Sequence, residues 1–90
     1  MFYVYVLQSE SDEGLYIGFS ANLRQRLAQH EAGESLATAH RRPWQLIYYE
    51  AYRLRQDAEG RERFLKSGAG RHYLAKQCVN WFKLHPMRTA

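Results

Sequence analysis

The sequence predicts a single small α+β domain, with a three-stranded antiparallel sheet flanked by helices in the chain order ββαβαα. Ninety residues suffice for one hydrophobic core and exclude a second domain, and we expect residues 1–84 to form the domain and 85–90 to fray. Three segments rich in β-branched and aromatic residues are separated by segments with helical spacing. A sheet covered by helices is the usual small architecture for that order.

The first two strands form a hairpin. Phe2–Leu7 is aromatic and β-branched, Ser9–Gly14 has the composition of a turn, and Leu15–Phe19 is a second strand. Such a short connection predicts antiparallel pairing.

The side-chain alternation in this hairpin assigns its two faces. A turn centred near residues 10–12 places Tyr5, Tyr16 and Gly18 on one face. Gly18 leaves a space beside the two phenols that a ligand or another backbone could fill. The apolar residues that share the opposite face are Val4, Val6, Ile17 and Phe19.

A helix and a loop follow the hairpin. Ser20 is the predicted N-cap of a helix through residues 22–30, in which Leu23 and Leu27 point inward. Residues 32–42 are predicted to form a polar loop. Trp44–Tyr52 then predicts a third strand, which is too apolar on both faces to be an edge exposed to water.

Two further helices complete the predicted chain. Asp57 is the expected cap of a second helix that buries Phe64 and Leu65, and Gly68 and Gly70 have the character of C-cap and connector positions. A third helix is predicted over residues 71–82. Its expected buried residues are Tyr73, Leu74, Val79 and either Trp81 or Phe82, and Cys78 is expected to be a buried structural thiol.

The charge and cysteine content narrow the function classes. Thirteen basic against nine acidic residues give a net charge of +4 and a pI of about 9.5, which favours an anionic partner. Cys78 is the only cysteine, which excludes a disulfide framework and a cysteine zinc cluster and suggests a reducing, cytoplasmic location. We expect no signal peptide and no membrane span.

Five residues remain as candidates for chemistry once the common motifs are excluded. The chain has no phosphate-binding loop, dinucleotide fingerprint or His-x-x-x-His pair. Each candidate also has an ordinary structural interpretation: cross-strand packing for the tyrosines, a solvated helix face for the arginine, a helix C-terminal cation for the histidine and an i,i+4 ion pair for the glutamate. The candidates are Tyr5, Tyr16, Arg26, His30 and Glu62.

Taken together, these residues resemble a known family. Tyr3-Val4-Tyr5, then Tyr16-Ile17-Gly18, then Arg26 and His30 resemble the GIY-YIG nuclease superfamily. Residues 61–66 are similar to the family helix that carries its metal-binding glutamate, and residues 41–50 resemble the small single-domain branch of YhbQ-like (UPF0213) proteins. The resemblance covers residues 2–74. The chain departs from the pattern at Tyr3, where the name motif has glycine, and at Glu31, where the family often has asparagine.

The resemblance implies hydrolysis of phosphodiester bonds with one divalent metal ion. Glu62 would hold Mg²⁺ or Mn²⁺, and Arg26 would clamp the scissile phosphate. Tyr5 would be the general base or would orient the attacking water, with Tyr16 hydrogen-bonding beside it and His30 as a supporting donor or proton relay. A phenol has a pKa near 10, so the pKa of Tyr5 would have to be lowered for it to act near pH 7.

The implied partner is nucleic acid, with DNA expected and RNA left open. Gly18, Arg41 and Arg42 are further candidate contacts to it. One alternative is a non-catalytic nucleic-acid-binding module of the same fold, since basic and aromatic residues would suffice for backbone affinity. Another is a small domain that contacts a second protein, and a homodimer also stays open.

Overall fold

A three-stranded antiparallel sheet with strand order β2-β1-β3 organises the computed structural model, in which residues 1–88 are described. The predicted α+β class is confirmed, and the described residues form one α-helix and one 3₁₀ helix more than predicted. The elements are β1 (Phe2–Ser9), β2 (Leu15–Ser20), α1 (Leu23–Ala32), a 3₁₀ helix (Ala39–Arg41), β3 (Trp44–Tyr52), α2 (Arg55–Lys66), α3 (Gly68–Gln77) and α4 (Val79–Leu84).

The register of the β1–β2 hairpin is the predicted one. Tyr5 lies opposite Gly18 and Leu7 lies opposite Tyr16, so the two tyrosines share a face. Residues 4–9 are all buried, because β1 is the central strand and other side chains pack on both of its faces. The central strand therefore carries one of the two candidate tyrosines, and the edge strand β2 carries the other.

The prediction that β3 is not an exposed edge strand is wrong. β3 pairs only with β1 among the described residues, and Leu46 and Tyr49 are 38% and 53% exposed. Apolar side chains indicate which faces of a strand are covered, whereas the strand order depends on backbone pairing. The composition of β3 therefore carried no information about its place in the sheet.

Helices cover the sheet on both faces. On one face Val4 and Val6 pack with Ala58, Leu65 and Leu74 from α2 and α3. On the other face the buried side chains are Tyr5, Leu7 and Trp44, against which Tyr16, Leu23 and Leu27 pack. The candidate tyrosines therefore lie on the face that α1 covers.

The N-cap of the first helix lies two residues later than predicted. Asn22, not Ser20, is the N-cap, and its side-chain oxygen accepts the backbone N–H of Gln25 at 3.1 Å. The Ser20 hydroxyl instead accepts the N–H of Asn22 in the preceding turn. Gly33 ends the helix with a left-handed φ of 77°, a conformation that favours glycine.

The second helix has no side-chain cap. Leu54 occupies the N-cap position, and Asp57 lies inside the first turn, where its charge still complements the helix dipole. Leu65 is buried as predicted, but Phe64 is 36% exposed and packs edge-on against Tyr73. The predictions for Asp57 as a cap and for Phe64 as buried are therefore wrong.

The two glycines after α2 belong to the next helix. The Ser67 hydroxyl accepts the N–H of Gly70 at 3.1 Å and so caps α3, which places Gly68 and Gly70 in its first turn. A Cβ at Gly70 would overlap the backbone of Phe64 and Leu65. Gly70 thus permits the close approach of α3 to α2, rather than ending a helix.

The predicted third helix is divided at Cys78, whose backbone leaves the helical region at φ −107° and ψ 37°. Leu74 is fully buried as predicted, while Val79 is 45% exposed and Cys78 is only half-buried. The interruption rotates α4 relative to α3, so a single helical period no longer identifies the buried residues.

The segment after Leu84 is hydrogen-bonded through residue 88, although the sequence predicts fraying there. The buried Gln8 amide donates to the carbonyls of His85 and Pro86 and accepts the indole N–H of Trp81 at 2.8 Å. The N–H of Arg88 donates to a carbonyl in the β1–β2 turn. Residues 89–90 lie outside the described part of the chain. Within residues 1–88, no helix has the length and apolar character needed to cross a membrane.

Candidate active site

Four of the five candidate residues meet where α1 crosses the β1–β2 hairpin. Tyr5 projects from β1 and is fully buried, and Tyr16 projects from β2 and is partly exposed. The buried His30 ring lies edge-on to both phenols, with centroids 5.7 Å from Tyr5 and 5.2 Å from Tyr16. Arg26, one turn earlier on α1, completes the group.

Gly18 makes this arrangement possible, because the Tyr5 ring lies directly against it. A Cβ at this position would overlap the ring carbon Cζ and the hydroxyl of Tyr5. The space that the sequence leaves open beside Gly18 is therefore filled by the chain's own phenol. The proposed contact of Gly18 with nucleic acid stays a prediction.

A buried hydrogen-bond chain runs inward from Tyr5. Its hydroxyl lies 2.8 Å from His30 Nε2, and His30 Nδ1 lies 2.8 Å from the hydroxyl of Thr38. The Thr38 hydroxyl in turn lies 3.4 Å from the carbonyl of Ser35. Thr38 is fully buried and was not among the residues predicted from sequence. It lies in an aperiodic loop, so no sequence pattern points to it.

Arg26 is held beside both phenols in a position to meet an anion. Its guanidinium donates to Gln29 Oε1 at 3.0 Å and approaches Ser35 Oγ at 3.5 Å. Burial alone would lower the pKa of Arg26, but the nearby hydroxyls of Tyr5 and Tyr16 more than offset it and raise the pKa. The guanidinium therefore stays charged.

The pKa of Tyr5 moves in the opposite direction from the one that a free phenolate base requires. Burial raises the pKa of Tyr5 to about 12, and the nearby charge of Glu62 adds to the rise, while Arg26 opposes it. Burial and the charge of Arg26 lower the pKa of His30. At neutral pH the pair is therefore an un-ionised phenol beside a neutral imidazole.

Glu62 lies on the core-facing side of α2. It follows Ala58 by four residues and precedes Leu65 by three, and both of these are buried. The preceding residue, Arg61, anchors α2 to β3, because its Nε and Nη2 donate to the Glu50 carboxylate at 2.9 and 3.0 Å. This ion pair holds α2 against β3, whereas the core residues of α2 pack on the face of the sheet opposite to Tyr5.

Glu62 offers a single carboxylate to a metal ion. Its side chain is 21% exposed and forms an ion pair with Lys66 at 3.2 Å. No group of three His, Cys, Asp or Glu residues that could hold a metal occurs within residues 1–88, so the donors do not suit a zinc-type site. One carboxylate is enough for Mg²⁺ when water and a phosphate supply the other oxygens.

The two arginines of the loop before β3 have intramolecular partners. Arg41 donates to both carboxylate oxygens of Asp12, at 2.7 and 3.2 Å, and its guanidinium lies 4.7 Å from the Trp44 ring centre. Arg42 donates to the carbonyls of Ala39 and Glu31. Both side chains brace the loop, and their contact with nucleic acid stays a prediction.

Comparison of the sequence with known proteins identifies a family and several relatives. The model for the GIY-YIG catalytic domain matches residues 1–73. A UPF0213 protein encoded in the ldhD 5′ region of Pediococcus acidilactici is 43% identical over 68 residues, which cover 72% of this chain and 68% of the relative. A UPF0213 protein of Haloquadratum walsbyi is 39% identical over 66 residues, which cover 72% of this chain and 73% of the relative.

Proposed function

Since the chain belongs to the GIY-YIG family of nuclease domains, we propose that it hydrolyses phosphodiester bonds in nucleic acid, with DNA as the expected substrate and one Mg²⁺ or Mn²⁺ ion as cofactor. One observation supports this proposal: four candidate side chains lie together, those of Tyr5, Tyr16, Arg26 and His30. The charge of Glu62 is close enough to contribute to the raised pKa of Tyr5. The four side chains come from three separate elements and have complementary chemistry.

Arg26 and Tyr16 are the residues that face the substrate. Both are partly exposed, whereas Tyr5 and His30 behind them are buried. A charged guanidinium can donate two parallel hydrogen bonds to a phosphate and stabilise the negative charge that grows on it during hydrolysis. Tyr16 adds a hydroxyl that can hydrogen-bond the same phosphate or the attacking water.

Tyr5 and His30 form the proton-transfer pair. A phenol with a pKa of about 12 is a poor base when it must release its proton to solvent. It can instead pass that proton along the 2.8 Å hydrogen bond to the neutral His30 while its oxygen takes a proton from the attacking water. Because Tyr5 is closed to solvent in the free protein, this role requires that substrate binding open a path for water to the Tyr5 hydroxyl.

Glu62 would hold the metal ion, which when bound would neutralise charge on the phosphate and the departing oxygen. Its ion pair with Lys66 is of the weak i,i+4 type that a cation can displace. Lys66 is 56% exposed and is then free to contact the nucleic-acid backbone.

Cleavage assays with matched variants test the proposal. Branched, single-stranded and duplex DNA, and the corresponding RNAs, are incubated with Mg²⁺ or Mn²⁺. We expect Glu62→Gln and Arg26→Gln to lower the rate about 100-fold or more. Glu59→Gln, the same change on the same helix, serves as the control and should retain the rate. Equal rates in Glu59→Gln and Glu62→Gln would refute the metal role.

A further pair of variants distinguishes the roles of the two phenols. If Tyr5 meets the attacking water, Tyr5→Phe loses activity and Tyr16→Phe keeps part of it. The reverse order would assign that contact to Tyr16. Binding that weakens with salt, without cleavage of any substrate, would instead favour the non-catalytic binding module.

A further inference from the structure

Thr38 is a loop residue that is held by hydrogen bonds through both its side chain and its backbone on the buried side of the site. Its side chain is fully buried, and its hydroxyl lies 2.8 Å from His30 Nδ1. Its backbone is held at both ends, since its N–H donates to the Ser35 carbonyl at 3.1 Å and its carbonyl accepts the indole N–H of the buried Trp44 at 3.0 Å. The Thr38 hydroxyl therefore has one fixed position relative to the imidazole.

The partners of Thr38 allow His30 to carry its hydrogen on Nδ1. The Thr38 hydroxyl can donate its single hydrogen to the Ser35 carbonyl, which lies 3.4 Å away and can only accept. The Thr38 oxygen is then free to accept a hydrogen from His30 Nδ1. A neutral imidazole carries one such hydrogen, which leaves Nε2 with its lone pair.

The surroundings of Tyr5 favour the Nδ1–H tautomer. If Nε2 carried the hydrogen, it would donate to the Tyr5 hydroxyl, and that hydroxyl would have to find another acceptor. The adjacent Arg26 guanidinium has donors only. With the hydrogen on Nδ1, the Tyr5 O–H donates to Nε2 at 2.8 Å and both buried groups are satisfied.

We propose that Thr38 is a positioning residue that fixes the Nδ1–H tautomer of His30, so that Nε2 is the acceptor for the Tyr5 hydroxyl proton. Its catalytic consequence rests on the proposed nuclease function, but the tautomer itself is a property of the folded chain. When the phenol proton moves to Nε2, the Tyr5 oxygen takes a proton from the attacking water. Thr38 then holds the resulting imidazolium through the same Nδ1–H bond.

The tautomer can be measured without metal or nucleic acid. In ¹⁵N-labelled protein at pH 7.5, long-range ¹H–¹⁵N correlation spectra distinguish protonated from unprotonated ring nitrogens, and His30→Gln assigns the His30 signals among the four histidines. We expect wild type to have protonated Nδ1 and unprotonated Nε2. An Nε2–H tautomer in wild type would overturn the proposal, whether or not any variant folds.

Three variants separate Thr38 from the other contacts of His30. Thr38→Ser keeps the hydroxyl and should keep the wild-type tautomer. Tyr5→Phe removes the partner of Nε2 but should also keep it, because Thr38 still accepts from Nδ1. Thr38→Val removes the acceptor without changing the shape of the side chain, and the hydrogen should move wholly or partly to Nε2. An unchanged tautomer in folded Thr38→Val would overturn the proposal.

The cleavage rate provides a second test, which distinguishes failure of the positioning role from failure of the nuclease proposal. Once a substrate that wild type cleaves has been found, Thr38→Val should lower kcat about 10-fold to 100-fold and change the pH dependence of kcat. The kcat of Thr38→Ser should be close to that of wild type. If no substrate is cleaved by wild type, the nuclease proposal fails while the tautomer result stands. If cleavage occurs and Thr38→Val retains wild-type kcat and pH profile, the positioning role fails while the nuclease proposal stands.

Discussion

The packing of the Tyr5 ring on Gly18 predicts that Gly18→Ala destabilises the protein and displaces the phenol. An alanine Cβ would overlap Cζ and the hydroxyl of Tyr5. The ring cannot turn away freely, because Tyr5 is fully buried on the central strand and hydrogen-bonded to His30 at 2.8 Å. Either β2 moves away from the ring, or the ring moves and breaks that bond.

The size of the effect follows from three contributions. Overpacking a rigid core costs about 1–3 kcal/mol. Loss of the Tyr5–His30 hydrogen bond adds about 1 kcal/mol. Replacing glycine in an extended strand restricts the unfolded chain, which returns about 0.5–1 kcal/mol. The net loss in the free energy of unfolding is therefore about 1–3.5 kcal/mol.

Urea unfolding measures this loss, with Gly60→Ala as the matched control. A Cβ at Gly60, in the middle of α2, would have Arg63 Nη2 as its nearest neighbour at 3.8 Å, so there is room for a methyl group. We expect Gly60→Ala to stabilise the protein by about 0.5–1 kcal/mol. If Gly18→Ala were as stable as Gly60→Ala, the close packing of Tyr5 on Gly18 would be refuted.

Three other predictions concern the pH dependence of stability and the packing of the C-terminal segment. Burial lowers the pKa of His30 in the folded protein. As the pH falls, the His30 imidazole therefore takes up a proton in the unfolded chain before it does so in the folded protein. The free energy of unfolding should thus fall as pH drops below about 6.5, by at most about 1.4 kcal/mol per pH unit, and His30→Gln should lack this dependence in pH-dependent urea unfolding. Hydrogen bonds from Arg41 hold the pKa of Asp12 well below its usual range, so Asp12→Asn should cost about 1 kcal/mol at pH 7, and the difference from wild type should shrink below about pH 4. Trp81→Phe removes the 2.8 Å hydrogen bond to the buried Gln8, which should cost about 1 kcal/mol and speed hydrogen exchange in residues 85–88.

The hairpin could be predicted because one physical rule determines most of it. Side chains alternate along a strand, so a short turn fixes both the register and the face on which Tyr5 and Tyr16 meet. Helical spacing likewise placed Arg26 and His30 on one side of α1, and both prove to lie beside the phenols. Local periodicity was therefore sufficient for this part of the candidate site.

The features that could not be predicted depend on contacts distant in sequence. The edge position of β3 follows from which strand pairs with β1, and the hydrophobic pattern does not encode that choice. Gly70 resembles a helix terminator until α2 is placed against it. Thr38 becomes part of the site only because the loop after α1 folds back on His30 and is held there by Trp44.

The two halves of the site are held by different forces, which determines how their variants must be interpreted. Tyr5 and His30 are buried, and removing either hydroxyl or imidazole leaves an unpaired polar group that costs stability as well as function. Glu62 is partly exposed, and its ion pair with Lys66 contributes little to stability. Loss of activity in Glu62→Gln therefore reports on chemistry. The same loss in Tyr5→Phe reports on chemistry only once its free energy of unfolding has been measured.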